Sequence, residues 1–145
     1  MARSRGPVTV DISALGDVRL QKRLARLTTK MQKSIVRRAL RAGAKEILAV
    51  TKQLVPVDTG KLREGLKIRA TKARRGSFGV QVQTPTRADL GIGADEKGFY
   101  PAVLEYGADG HPPHPYLRPA LEQGRAAALD AIATGIREGI DEAVK

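Results

Sequence analysis

From Leu20 onward, apolar residues recur as Leu24, Leu27, Met31, Ile35, Leu40, Ile47, Leu48 and Leu54, mostly at three- and four-residue steps. That period predicts a long amphipathic helix, with a possible break at Thr28-Thr29. Upstream, Val8 and Val10 alternate with Thr9 and Asp11, which predicts a short strand, and Ser13 or Asp17 is placed to open a helix. The helical period stops at Val55-Pro56-Val57-Asp58-Thr59-Gly60-Lys61-Leu62-Arg63. Pro56 cannot continue a helix and biases Val55 toward extended backbone. Asp58 can accept the free N–H groups of a following short turn, and Gly60 allows the bend. The run reads as a helix stop, a corner and a restart.

Beyond the corner, residues 67–73 and 77–84 predict two strands joined around Arg74-Arg75-Gly76. Val80 and Val82 alternate with Gln81 and Gln83, as expected of a sheet wetted on one face. Residues 85–98 are rich in Gly, Asp and turn formers and predict a surface excursion, with one short strand near Leu90–Ile92. The segment Tyr100–Gly107 precedes a proline-rich approach, His111-Pro112-Pro113-His114-Pro115-Tyr116. A last helix then begins near Pro119. Its apolar stripe is Leu121, Ala128, Leu129, Ile132, Ile136 and Ile140. Gly124, Gly135 and Gly139 weaken this helix, so it either depends on packing or admits another helix at close range. The pattern predicts an α+β fold, a long N-terminal helix and a C-terminal helix packed on a small antiparallel β-sheet. Residues 1–7 are expected to form a flexible arm and residues 8–145 a single domain.

Charge changes this picture more than composition does. The net charge of +11 over 145 residues divides into +15 for residues 1–75 and −4 for residues 76–145. The polar face of the long helix carries Lys22, Arg23, Arg26, Lys30, Lys33, Arg37, Arg38, Arg41 and Lys45. A solvated face is the bland reading; contact with nucleic acid or with an acidic protein surface are the others. The face has no interleaved aromatics and no helix-turn-helix pattern, which argues against sequence-specific recognition. There is no cysteine, no apolar run long enough to span a bilayer, and no apolar segment at the start of the kind a signal peptide needs. A protein that acts in or is assembled in the cytoplasm is expected.

Catalytic and metal chemistry find little support. Asp109, His111 and His114 are potential ligands, but the two histidines lie in a proline-rich run without helical ligand spacing. No nucleophile elbow, P-loop or dinucleotide fingerprint occurs, and no enzyme, metal or cofactor is expected. Asp58 reads as a helix cap and Glu105 as a hydrogen-bonded corner. Tyr100, Tyr106 and Tyr116 read as core residues with a polar tip or as interface anchors.

Three ordered motifs carry a family resemblance. Val-Pro-Val-Asp-Thr-Gly-Lys-Leu-Arg at 55–63, Tyr-Pro-Ala-Val-Leu-Glu-Tyr-Gly at 100–107 and His-Pro-Tyr-Leu-Arg-Pro-Ala at 114–120 occur before a terminal helix. In this order the chain resembles the tail-completion, or minor tail component, proteins of tailed bacteriophages, over roughly residues 8–143. Pro56, Asp58, Thr59, Gly60 and Leu62 match that family's corner. Tyr100, Glu105 and Gly107 match its central signature, and Pro115, Leu117, Pro119 and Ala120 its helix entry. Pro101 stands where alanine is more usual, and the loop at 85–98 is longer and richer in glycine than in the family. The resemblance implies a structural virion protein of the neck, assembled in the host cytoplasm. It also implies a ring matching the sixfold tail, placed between a head-side connector or head-closure protein and the tail terminator or tail tube. The basic face, represented by Arg26, Lys30, Lys33, Arg37, Arg38 and Arg41, would then meet the acidic half of a neighbour or packaged DNA. A nonspecific DNA-binding protein working through the basic helix of residues 20–45 is the alternative from another class. No membrane partner is expected.

Overall fold

Asp17 opens the first helix: its Oδ1 accepts from the Leu20 N–H at 3.0 Å, starting α1 at Val18–Ala25. The computed structural model describes residue 12 and residues 15–57, 60–71, 77, 79–91 and 100–145. The expected arm over residues 1–7, the strand at Val8 and Val10, the tip of the expected hairpin, the cap assigned to Asp58 and the corner residue Thr59 lie outside these residues. The long helical period divides where the two threonines stand. Thr28 Oγ1 accepts from the Met31 N–H and caps α2, Thr29–Leu54. Arg26 is the C-cap of α1, so it sits in the turn before α2 and not on that helix's face. The stop before Pro56 occurs as read: Val55 is extended at φ −65° and ψ 131°. Gly60 then bends the chain at φ +81°, which only glycine adopts without strain, before the short α3, Lys61–Gly65.

Two strands, β1 (Lys67–Ala70) and β2 (Val80–Gln83), pair antiparallel, with Ile68 opposite Val82 and Arg69 opposite Gln81. They are shorter than the spans predicted and pack on α2. The strand expected near Leu90–Ile92 is corrected at Leu90, which lies within a turn that runs on through Gly91, while Ile92 is outside the described residues. Thr86 N–H donates to Asp89 Oδ2 at 2.8 Å and Asp89 N–H returns a bond to Thr86 Oγ1 at 3.2 Å. This reciprocal pair closes the backbone locally and leaves no extended edge for pairing. The next element, α4 (Tyr100–Tyr106), has no counterpart among the sequence-predicted helices. The last, α5 (Leu117–Ala143), starts two residues before Pro119, so the proline lies within its first turn, where its missing N–H is harmless.

The helices α2 and α5 run antiparallel and touch along most of their lengths, because the glycines remove side chains from the seam. A Cβ on Gly43 would lie 2.6 Å from Ile132 Cγ1 and 3.0 Å from the Ala128 carbonyl oxygen. One on Gly135 would lie 3.1 Å from both Cα and Cβ of Ala39, and one on Gly139 would lie 2.7 Å from Ile35 Cγ2. Of the two readings of the α5 glycines, close approach of another helix is therefore the one realised. Two cores flank this seam. At one end Ile12, Leu20 and Leu24 cover Ile35, Val36, Ala39, Ile136 and Ile140. At the other, Val55, Leu62, Leu66 and Tyr116 are joined by Leu48, Leu54, Leu104 and Leu117. The fold is α+β, with the two long helices packed against the small sheet.

A mid-helix Gly→Ala change ordinarily stabilises by about 0.5–1 kcal/mol. At Gly43 the sign reverses, because the new methyl meets a branched γ-carbon and a backbone oxygen. Gly43→Ala is expected to destabilise by about 1–3 kcal/mol in urea unfolding. Gly124→Ala is expected to be close to neutral, since the nearest atom it meets is the flexible Ile47 Cδ1 at 2.9 Å.

Candidate functional site

Two of the three sequence motifs are joined by a single carboxylate. Glu105, on α4, is 2% exposed, yet none of its charge is left without a partner. Its Oε2 accepts the N–H groups of Tyr116 at 2.9 Å and Leu117 at 3.0 Å. Its Oε1 accepts the Arg118 N–H at 3.2 Å and the Arg118 Nε–H at 3.4 Å. These three amides begin α5 and have no partner within the helix, so a carboxylate placed there serves them and opposes the positive end of the helix dipole. Burial by itself would push the Glu105 carboxyl up. The amides of Leu117, Tyr116 and Arg118, together with the guanidinium, outweigh it and hold the group below its ordinary range. This is a helix cap supplied from another helix.

Tyr116 completes the joint. Its side chain is fully buried, and its hydroxyl donates to the Pro101 carbonyl at 3.4 Å. Burial, followed by the Glu105 carboxylate and Tyr106, pushes its phenol up to about 12, so it remains a neutral donor. The corner motif reaches the same place through Leu62, which shares the core of Tyr116 with Leu104 and Leu117. Ala120 is buried behind them, whereas Pro115 is exposed and Pro119 half-buried. Pro56 is exposed on the far side of the corner.

Gly107 ends α4 and turns the chain toward α5. Its N–H donates to the Val103 carbonyl at 2.8 Å. Its φ is +76°, and a Cβ there would lie 3.0 Å from Pro113 Cδ and 3.1 Å from the His111 oxygen. Next, Ala108 and His111 exchange both backbone hydrogen bonds, and His114 N–H donates to the Leu104 carbonyl at 2.7 Å. His111 and His114 therefore serve the loop through their backbones, and no group of three or more potential metal ligands occurs among the described residues.

The three tyrosines separate. Tyr116 is core, Tyr106 is 73% exposed, and the side chain of Tyr100 is outside the description. The Arg118 guanidinium lies 5.6 Å from the centre of the Tyr106 ring, a cation–π pair at the outer rim of the joint. Sequence reading missed Arg118 and the capping role of Glu105. The available signal was an acidic residue ahead of a proline-bearing helix start, but its partners lie across a loop that propensity cannot fold.

On the basic face, Arg38 pairs with Glu142 at 2.8 Å, and Arg23 pairs with Asp141. The complementarity expected between subunits is thus met in part within one chain. Arg26, Lys30, Arg37 and Arg41 are exposed and Lys33 half-buried. Among the described residues no helix is long and apolar enough to cross a membrane.

The model of the HK97-gp10-like family, described as a bacteriophage tail component, matches residues 19–107, from the first turn of α1 through Gly107. No curated protein and no solved structure matches the chain.

Removing the Glu105 carboxylate leaves three amides without their acceptor. Glu105→Ala is expected to cost about 2–3 kcal/mol in denaturant unfolding. Because its folded-state pKa is depressed, this contribution is present above the ordinary glutamate pKa of about 4.3 and is lost as pH falls through the lower folded value. Melting temperature measured from pH 7 to pH 3 should fall less steeply at the acid end in Glu105→Gln than in the wild type. Gly107→Ala, strained in φ and crowded by Pro113, is expected to destabilise by about 1–3 kcal/mol.

Proposed function

This chain belongs to the HK97-gp10-like family of bacteriophage tail components, and from that premise we propose that it completes the junction between head and tail as a homo-oligomeric ring. The observation that carries the reading is the family match over residues 19–107. It supports a structural component of the virion, and in this reading the chain acts through its surfaces. The placement at the neck, the ring and its sixfold symmetry rest on the resemblance to tail-completion proteins. Residues 8–145 act as one domain in this reading. Its partners are further copies of itself, a head-side connector or head-closure protein, and the tail terminator or tail tube protein.

The chemistry of the motif residues supports an assembly role. Glu105, Gly107, Tyr116 and Leu62 are occupied in holding α4, α5 and the corner together, which leaves their neighbours to make external contacts. Tyr106 and Arg118 are the exposed members of that joint, and tyrosine and arginine are the residue types that most often anchor interfaces. The buried cap fixes the backbone beneath them, so the pair is presented with little further ordering.

The test is the mass of the purified, nuclease-treated chain by light scattering, alone and mixed with the head-closure and tail-terminator proteins of the same phage. A closed oligomer or a defined joint complex is expected. A monomer that joins none of them and shifts only with DNA would overturn the reading in favour of a nonspecific DNA-binding protein. Tyr106→Ala should keep the wild-type melting temperature within about 2 °C, since its ring is exposed. It should weaken the joint complex at least about tenfold, the loss expected of an interface anchor.

A further inference from the structure

The outward face of α2 is cationic in a regular way. Along Thr29–Leu54 the charged residues are Lys30, Lys33, Arg37, Arg38, Arg41, Lys45 and Lys52, with Glu46 as the sole acid. At about 100° per residue, Lys30, Arg37, Arg41 and Lys45 fall within an arc of about 80°, and Glu46 lies outside it. All four are exposed. Ser34 is the other residue on that arc before Leu48, which packs against the second core and separates these four exposed cations from the half-buried Lys52 further along the same arc. The stripe is about 22 Å long, with Arg37, Arg41 and Lys45 about 6 Å apart along the axis.

Among the described residues, no acidic surface matches Lys30, Arg41 and Lys45 of this stripe. Lys30, Arg41 and Lys45 form no ion pair among the described residues, whereas Arg38 at the edge of the stripe takes Glu142 and Arg23 on α1 takes Asp141. The remaining exposed acids of α5 are Glu122, Asp130 and Glu138. They stand at eight-residue steps, each of which turns about 80° around the helix, so they fan across its surface and make no facing row. A second copy docking through α5 could therefore meet one or two of the cations, not the stripe.

We infer that the outward face of α2, formed by Lys30, Arg37, Arg41 and Lys45, is a binding site for the phosphate backbone of duplex DNA. Duplex DNA presents about one negative charge per 1.7 Å of axis, dense enough to meet every cation of the stripe. The face carries no aromatic side chain on which an unpaired base could stack and no amide for reading base edges. Binding is therefore to the backbone and indifferent to sequence. The inference rests on the proposed neck function only in taking packaged DNA as the polyanion encountered; the charge geometry stands without it.

The test is fluorescence anisotropy of a labelled random-sequence duplex of about 30 base pairs, with the full chain between 50 and 200 mM salt. Four phosphate contacts predict a loss of affinity of about 10²-fold over that range. The variant Lys30→Gln/Arg41→Gln/Lys45→Gln should bind at least about tenfold more weakly at 100 mM salt, with a salt slope shallower by about 3. A charge-matched control, Arg63→Gln/Arg69→Gln/Arg125→Gln, removes exposed cations from α3, β1 and α5 and should stay within about threefold of the wild type. Equal weakening by both variants, or a wild type whose affinity does not change with salt, would overturn the inference. So would a stripe variant that keeps its DNA affinity while losing its joint complex with phage proteins, which would make the face a protein-docking surface. Failure of the wild type to assemble would count against the neck reading while leaving the anisotropy result to stand alone.

Discussion

The close approach of α2 and α5 is the constraint on which the rest of the molecule depends. Each glycine in the seam costs its helix up to about 1 kcal/mol relative to alanine, and α5 carries Gly124, Gly135 and Gly139 within 16 residues. Such a helix has no strong reason to form alone. In the folded chain the missing side chains are replaced by the opposing helix: Ala39 faces Gly135, Ile35 faces Gly139, and Ile132 fills the space over Gly43. Dispersion attraction between two backbones at this range offsets the weak propensity. The seam also sets where the ends of the two helices lie. One end receives α1, and the other receives the corner, α4 and the entry to α5.

At that second end the start of α5 has to be covered without leaving its first amides unpaired. Glu105 does this from α4, and Tyr116 fills the space beneath it. A buried carboxylate is costly unless it is fully hydrogen-bonded, and here each oxygen accepts more than one bond. The central and helix-entry motifs are consequently one structural device read in two pieces, with Leu62 bringing the corner into the same core. The polar groups of Glu105 and Tyr116 are engaged in holding that geometry.

The sequence was most informative where a local rule acts without tertiary help. Asp17 and Thr28 cap their helices through their own side chains, Pro56 ends α2, and Gly60 adopts the positive φ that the bend requires. The alternation of Val80 and Val82 identifies β2. The readings fail where a distant partner decides. In α4, seven residues with Pro101 near the start carry too few turns to show a period, and the helix is held through Glu105 and Tyr116. Gly43 carries no local sign that Ile132 packs against it. At Leu90 an apolar residue among turn formers suggested a strand, but the bonds between Thr86 and Asp89 closed the turn first. The site was legible as a set of residues and illegible as a connection, because hydrogen bonds spanning 11 to 13 residues leave no periodic trace.

Charge supplies the last step, because it is the one feature of α2 that folding does not explain. Arg37, Arg41 and Lys45 stand four residues apart, and like charges at that spacing destabilise a helix by about 0.2–0.5 kcal/mol per pair. The exposed pairs Arg23–Asp141 and Arg38–Glu142 do little to offset this, since ion pairs in contact with water contribute about 0–1 kcal/mol each. Alanine along the same face would form a better helix and leave the glycine seam untouched. Repulsion along the row costs the isolated chain some stability, and an anionic surface arriving there would offset it. A sparse, scattered set of acids on a neighbouring copy recovers part of it. A regular polyanion would recover more, and would release its own condensed counterions as it did so, which is the physical case for the proposed DNA contact.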